Sequence, residues 1–141
     1  MIRVLIFLGL ILLIILSCSG LSNNKKITGK KIKELVFYNT LSESLNADIK
    51  DLPHYPNKSF SDSATVNLLD NAVTVSENYI WKGFIIGVIR YENGDSIKIR
   101  VSRYGGFFRS FSDNKFYSFS DKESNYKWQD LVDTFIHETI K

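Results

Sequence analysis

The chain has 141 residues, 44% of them hydrophobic and 23% charged. That composition excludes a disordered, collagenous or repeat-array protein. A single cysteine excludes an internal disulfide and a cysteine-built zinc site, and a net charge of +3 is too mild to mark a nucleic-acid-binding surface.

The apolar residues crowd the first stretch of the chain. Val4–Leu16 is a run of thirteen uncharged residues, preceded by Arg3 and followed by Ser17-Cys18-Ser19-Gly20. As a helix it would reach about 20 Å at roughly 1.5 Å per residue, short of a hydrocarbon core of about 30 Å. A basic start, an apolar run and then small residues is the order of a secretory signal peptide. Within it, Ile15-Leu16-Ser17-Cys18 resembles the lipobox of bacterial lipoproteins. The resemblance covers residues 1–20 only. It implies that residues 1–17 are a signal peptide that is cut away, and that Cys18 is lipidated on its thiol and becomes the acylated N-terminus. Several acyl chains would make that anchor stable, since each buried methylene contributes about 0.8 kcal/mol and one chain alone is marginal. The address it implies is the bacterial cell envelope, on a membrane and facing the periplasm or exterior.

Residues 18–29 then read as the lipidated cysteine and a flexible tether, polar and without periodicity. Lys25, Lys26, Lys30, Lys31 and Lys33 follow closely on the anchor. They suit contact with anionic head groups, and equally a solvated run that keeps the tether in water. These five charges exceed the net +3, so the remaining body is near neutral or slightly acidic. Residues 30–141 are enough for one domain.

Leu35–Tyr38 reads as a short strand. Thr40-Leu41-Ser42-Glu43 fits a capping box, and Leu41, Leu45, Ile49 and Leu52 recur near helical spacing until Pro53. Pro53 and Pro56 bracket His54-Tyr55 and mark the clearest break. Ser61 is a candidate cap for a helix through Val66, Leu69 and Val73, while Thr65, Val66, Val73, Thr74 and Val75 also suit a strand. Both readings stay open.

The second half is clearer. Tyr79–Tyr91 and Asp95–Tyr104 are strand-like runs joined by a turn at Asn93-Gly94. A two-residue loop there sets Arg90 opposite Ile97, Val88 opposite Ile99, Ile86 opposite Val101 and Phe84 opposite Arg103, all on one mainly apolar face. The other face carries Tyr91 with Ser96, Ile89 with Lys98, Gly87 with Arg100 and Ile85 with Ser102. Gly105-Gly106 ends this ribbon. Phe107–Ser112 and Lys115–Ser120 follow, and a two-residue turn at Asp113-Asn114 would pair Phe111 with Phe116 and Phe108 with Phe119. Asn125 opens a last helix, along which Trp128, Leu131, Val132, Phe135, Ile136 and Ile140 fall at steps of three and four. The expected fold is α+β: an antiparallel sheet of about four or more strands in a meander, with helices packed on one face and a C-terminal amphipathic helix.

Chemistry-bearing patterns are missing from the sequence: there is no HExxH, Walker loop or GxSxG, and Cys18 is committed to the anchor. An enzyme, a cofactor and a metal are therefore not expected. His137, four residues after Asp133, reads as a surface contact near a helix end, and His54 as a turn residue. Twelve of the nineteen aromatic residues lie between Tyr79 and Tyr126. Some must fill the core, but Tyr91, Lys98, Arg100 and Tyr117 could compose an aromatic and basic outer surface for a protein or glycan of the envelope. The competing expectation is a helix from the first half covering those rings. Arg103 and Arg109 flank the Gly-Gly bend and could line a groove for an anionic group. The sequence thus points to a lipid-anchored binding or accessory domain that meets the membrane and an envelope protein or glycan, and not nucleic acid. An inhibitor or immunity lipoprotein that neutralises an envelope hydrolase or toxin is the second reading.

Overall fold

The computed structural model describes residues 27, 29–38, 48–52, 58–76, 81, 84–104 and 106–139. The signal-like segment, Cys18, the capping box at Thr40–Glu43, the Pro-bracketed His54 and Tyr79 lie outside the described residues.

In chain order the elements are β1 (Ile32–Tyr38), a 3-10 turn (Ile49–Asp51), β2 (Lys58–Phe60), α1 (Ser63–Asp70), β3 (Ala72–Val75), β4 (Phe84–Tyr91), β5 (Ser96–Ser102), β6 (Phe107–Ser110), β7 (Phe116–Phe119) and α2 (Lys122–Thr139). The strands form one seven-stranded sheet in the order β2-β1-β4-β5-β6-β7-β3. Every pairing is antiparallel. Strands β4 to β7 run as a meander, and strands from the first half of the domain extend it at both ends. The fold is α+β, as expected.

The helices lie on one face because their sequences leave an apolar stripe that only the sheet can cover. On α2 that stripe is Trp128, Val132 and Phe135, all fully buried. The Trp128 ring sits 5.1 Å from Phe108, 5.6 Å from Phe119 and 6.2 Å from Phe37, at the centre of an aromatic cluster. The helix starts before Asn125. Asp121 Oδ1 accepts the Ser124 N–H at 2.7 Å, a capping bond, and Asn125 Nδ2 reaches back to the Phe119 carbonyl at 2.9 Å.

Both open readings of residues 61–75 hold, one after the other. Asp62, rather than Ser61, caps α1: Oδ1 accepts the Thr65 N–H and Oδ2 the Thr65 hydroxyl, each at 2.9 Å. Leu68 and Leu69 bury against the sheet, and the chain then extends as β3 beside β7. Of the helix expected over Leu41–Leu52, the described part is a single 3-10 turn. Leu52 follows it in extended conformation and is buried.

The hairpin registers differ from expectation. Tyr91 N–H donates to the Asp95 carbonyl at 2.9 Å and Gly94 N–H to the Tyr91 carbonyl at 3.1 Å, so the loop is Glu92-Asn93-Gly94. Gly94 takes φ +90°, the conformation that a three-residue hairpin loop demands of its last residue. The added loop residue slides β5 by one. Arg90 faces Ser96, Val88 faces Lys98, Ile86 faces Arg100 and Phe84 faces Ser102. A slip of one residue exchanges the faces of a strand. Ile97, Ile99 and Val101 therefore join Ile85, Gly87, Ile89 and Tyr91 under the helices. Lys98 and Arg100 join Phe84, Ile86 and Val88 on the other side, the outer face. Gly87 is needed at this register, because a Cβ there would come within 2.8 Å of Ile99 Cγ1.

The next hairpin closes between Ser110 and Lys115, whose N–H and carbonyl meet at 3.0 Å. Its loop has four residues, with Asn114 at φ 59°. Phe108 thus faces Tyr117 rather than Phe119. Arg109 faces Phe116, and Phe111 lies in the turn, 41% exposed.

Candidate functional site

The outer face has two parts. One is a small second core of Val36, Tyr38, Ile86 and Val88, on which Leu52 packs and against which Phe84 leans. The segment before β2 thus contributes to covering this half. Its edge carries the ion pair between Arg90 and Glu34, at 2.9 Å.

The other part is built from β5, β6 and β7 and is cationic and aromatic. Arg100 on β5 is the direct cross-strand partner of Arg109 on β6. The Arg100 guanidinium carbon stands 4.2 Å from the Trp81 ring centroid and 4.3 Å from that of Phe84. Arg109 stands 5.6 Å from the Phe116 centroid and donates through Nη2 to Asn114 Oδ1. The rings form a continuous group, with Trp81 5.1 Å from Phe107 and 6.1 Å from Phe116. Guanidinium faces stack favourably on such rings. Lys98 is nearly buried, its Nζ 4.4 Å from the Phe111 ring centroid. Burial lowers its pKa from the ordinary lysine value, and the Asp48 carboxylate opposes the shift.

The electrostatics of this patch are unusual. Burial, and then the neighbouring Arg109 charge, lower the pKa of Arg100. Its Nε is buried and has no hydrogen-bond partner. Among the described residues neither Arg100 nor Arg109 is ion-paired with a carboxylate, whereas Arg90 on the same face is. Like charges placed directly opposite in a sheet destabilise it.

The residues expected to form a surface therefore separate. Lys98, Arg100 and Arg109 share the outer face. Tyr91 and Tyr117, expected beside them, are under the helices and only 2% exposed each, because the slipped registers carry them there. Tyr117 stacks on Phe108 and donates its hydroxyl to Asp113 Oδ2 at 2.7 Å. Burial, reinforced by Asp113, raises its pKa well above the ordinary phenol value. Arg103 is not the neighbour of Arg109: Arg100 holds that position, and the Arg103 carbonyl accepts from Gln129 on α2 at 3.3 Å. Sequence reasoning missed Trp81, Phe84 and Phe116 as partners of the arginines. The available signal was the clustering of aromatics around two arginines, which needs the register before it becomes a site. His137 is exposed, and Asp133 takes a hydrogen bond from Gln129 at 3.0 Å.

Elsewhere, a cleft of about 430 Å³ opens between α1, α2 and β2, lined by Phe60, Thr65, Leu68, Lys127, Asp130 and Leu131. It is largely apolar, and Lys127 is occupied by Glu123 at 2.6 Å. Among the described residues no group of three or more His, Cys, Asp or Glu is placed to hold a metal ion, and no helix is long and apolar enough to cross a membrane.

No protein-family model matches the chain, and no curated protein or solved structure matches it significantly.

Proposed function

We propose that this protein is a lipid-anchored envelope domain that binds through the outer face of its sheet. Cys18 is the anchor, and Arg100, Arg109, Lys98 and the surrounding rings receive an envelope protein or glycan. The observation that carries the binding half of this reading is the opposed Arg100–Arg109 pair, set among partly exposed aromatic rings without an ion-paired carboxylate among the described residues. A folded domain gains nothing for stability by aligning two like charges, so a ligand that neutralises them is the simplest reason to keep both. The anchor half rests on the basic, apolar, small-residue and cysteine order of residues 1–20.

Two measurements test it. Cys18→Ser should abolish fatty-acid labelling and release the protein from the membrane fraction or leave a larger precursor; unchanged labelled, membrane-bound protein refutes the anchor. For the binding face, a photo-crosslinking amino acid at Phe84 should yield a discrete envelope adduct, and one at Tyr126, exposed on α2, should not. Adducts from Tyr126 alone would place recognition on the helix side and reject the outer face.

A further inference from the structure

We propose that Arg100 and Arg109 form a binding site for a phosphate monoester on the outer face of the sheet. The inference rests on reading that face as the binding surface, and it names the ligand chemistry.

The arginines sit opposite one another on adjacent strands, so their Cβ atoms are roughly 5 Å apart and both guanidinium groups can reach one small anion. Each group has an aromatic ring over its face: Trp81 and Phe84 at Arg100, Phe116 at Arg109. Stacking uses the guanidinium face and leaves the in-plane N–H donors directed sideways, where an oxyanion accepts them. Arg100 Nε is a buried donor without an acceptor, as Arg103 Nε and Trp128 Nε1 also are. Asn114, held at φ 59°, accepts from Arg109 and fixes the direction of its fork. Two adjacent positive charges are matched by a dianion better than by a single carboxylate, and several acceptor oxygens on one centre suit two forks. Half-burial among rings strengthens such bonds relative to water. Arg90 supplies the contrast: the same residue type on the same face, already satisfied by Glu34.

The test uses the detergent-solubilised full chain. Trp81 borders Arg100, so intrinsic tryptophan fluorescence reports occupancy. Titration with glucose 1-phosphate at constant ionic strength should give a saturable change that chloride does not give. Arg109→Gln should weaken it about tenfold or more while circular dichroism stays unchanged. Lys122→Gln, an exposed cation on α2 outside the cluster, should leave it as it is. A second arm replaces the sugar phosphate with vesicles of phosphatidylcholine with or without phosphatidic acid. Saturation by both probes identifies the phosphate group as the determinant, and a response to phosphatidic acid alone assigns the same site to a membrane source. A response equal in Arg109→Gln, equal with chloride, or lacking with both probes overturns the proposal. If adducts from Phe84 persist in that case, the ligand class was wrong and the binding face stands.

Discussion

Under the helices, Leu35, Phe37, Ile85, Ile89, Ile99 and Phe108 are closed off by Trp128, Val132 and Phe135. On the opposite side of the same strands, Val36, Ile86 and Val88 are buried just as completely, yet a neighbouring part of that side aligns Arg100 with Arg109. The helix side holds the larger core, and the two faces differ also in how charge is arranged. On the helix side Tyr117 finds a partner in Asp113 and Lys58 in Glu138, although the buried Trp128 indole N–H has none. On the outer side Arg100 keeps a donor without one. Burial therefore locates the core, and aligned like charge beside half-buried rings locates the candidate site.

The sharpest way to break this comparison is at its two tryptophans. Trp128→Ala removes the centre of the helix-side cluster and should cost about 3–5 kcal/mol in urea denaturation. Trp81→Ala, on a half-buried outer ring, should cost distinctly less and leave the domain folded. Equal losses would mean that the outer rings are a core in their own right. Next in size, Gly87→Ala drives a methyl into Ile99 across the β4–β5 ladder and should cost about 1–3 kcal/mol, partly recovered by Ile99→Val. Full tolerance of Gly87→Ala would challenge the observed register. The smallest effect is at Asp62. Asp62→Ala removes the α1 cap and should cost about 1 kcal/mol. Hydrogen bonds from Thr65 hold the Asp62 pKa below 3.8, so its contribution is complete above that unfolded value and fades as pH falls through the lower folded one. The stability gap between wild type and Asp62→Ala should close below about pH 4 in parallel chemical denaturation curves.

The sequence pattern made α2 and the meander legible because each depends on spacing within one segment. Trp128, Val132 and Phe135 announce their shared face without reference to any other strand. The registers were not legible, and β4 shows why. Its sequence, FIIGVIRY, is apolar on both sides, so either alignment of β5 buries a reasonable surface. The choice falls to one loop residue, Gly94 at φ +90°, which adds a third position to the turn. That one step moved Tyr91 inward relative to Lys98 and Arg100. The Arg100–Arg109 pairing depends on the β5–β6 register, whereas the placing of Arg103 and Arg109 on either side of the Gly-Gly bend was read from sequence spacing alone.

The strand order has a consequence for how the domain is made. The first half of the domain supplies β2 and β3, which edge the sheet, yet β3 has to wait for β7 and β1 for β4. A polypeptide delivered N-terminus first, whether from a ribosome or through a pore, cannot complete its sheet until Phe119 has emerged. Leu35 and Phe37 wait longer still, for Trp128 and Phe135 of α2 to cover them. Such a late-closing topology favours slow folding and gives chaperones or a translocation channel a long interval in which to hold the open chain.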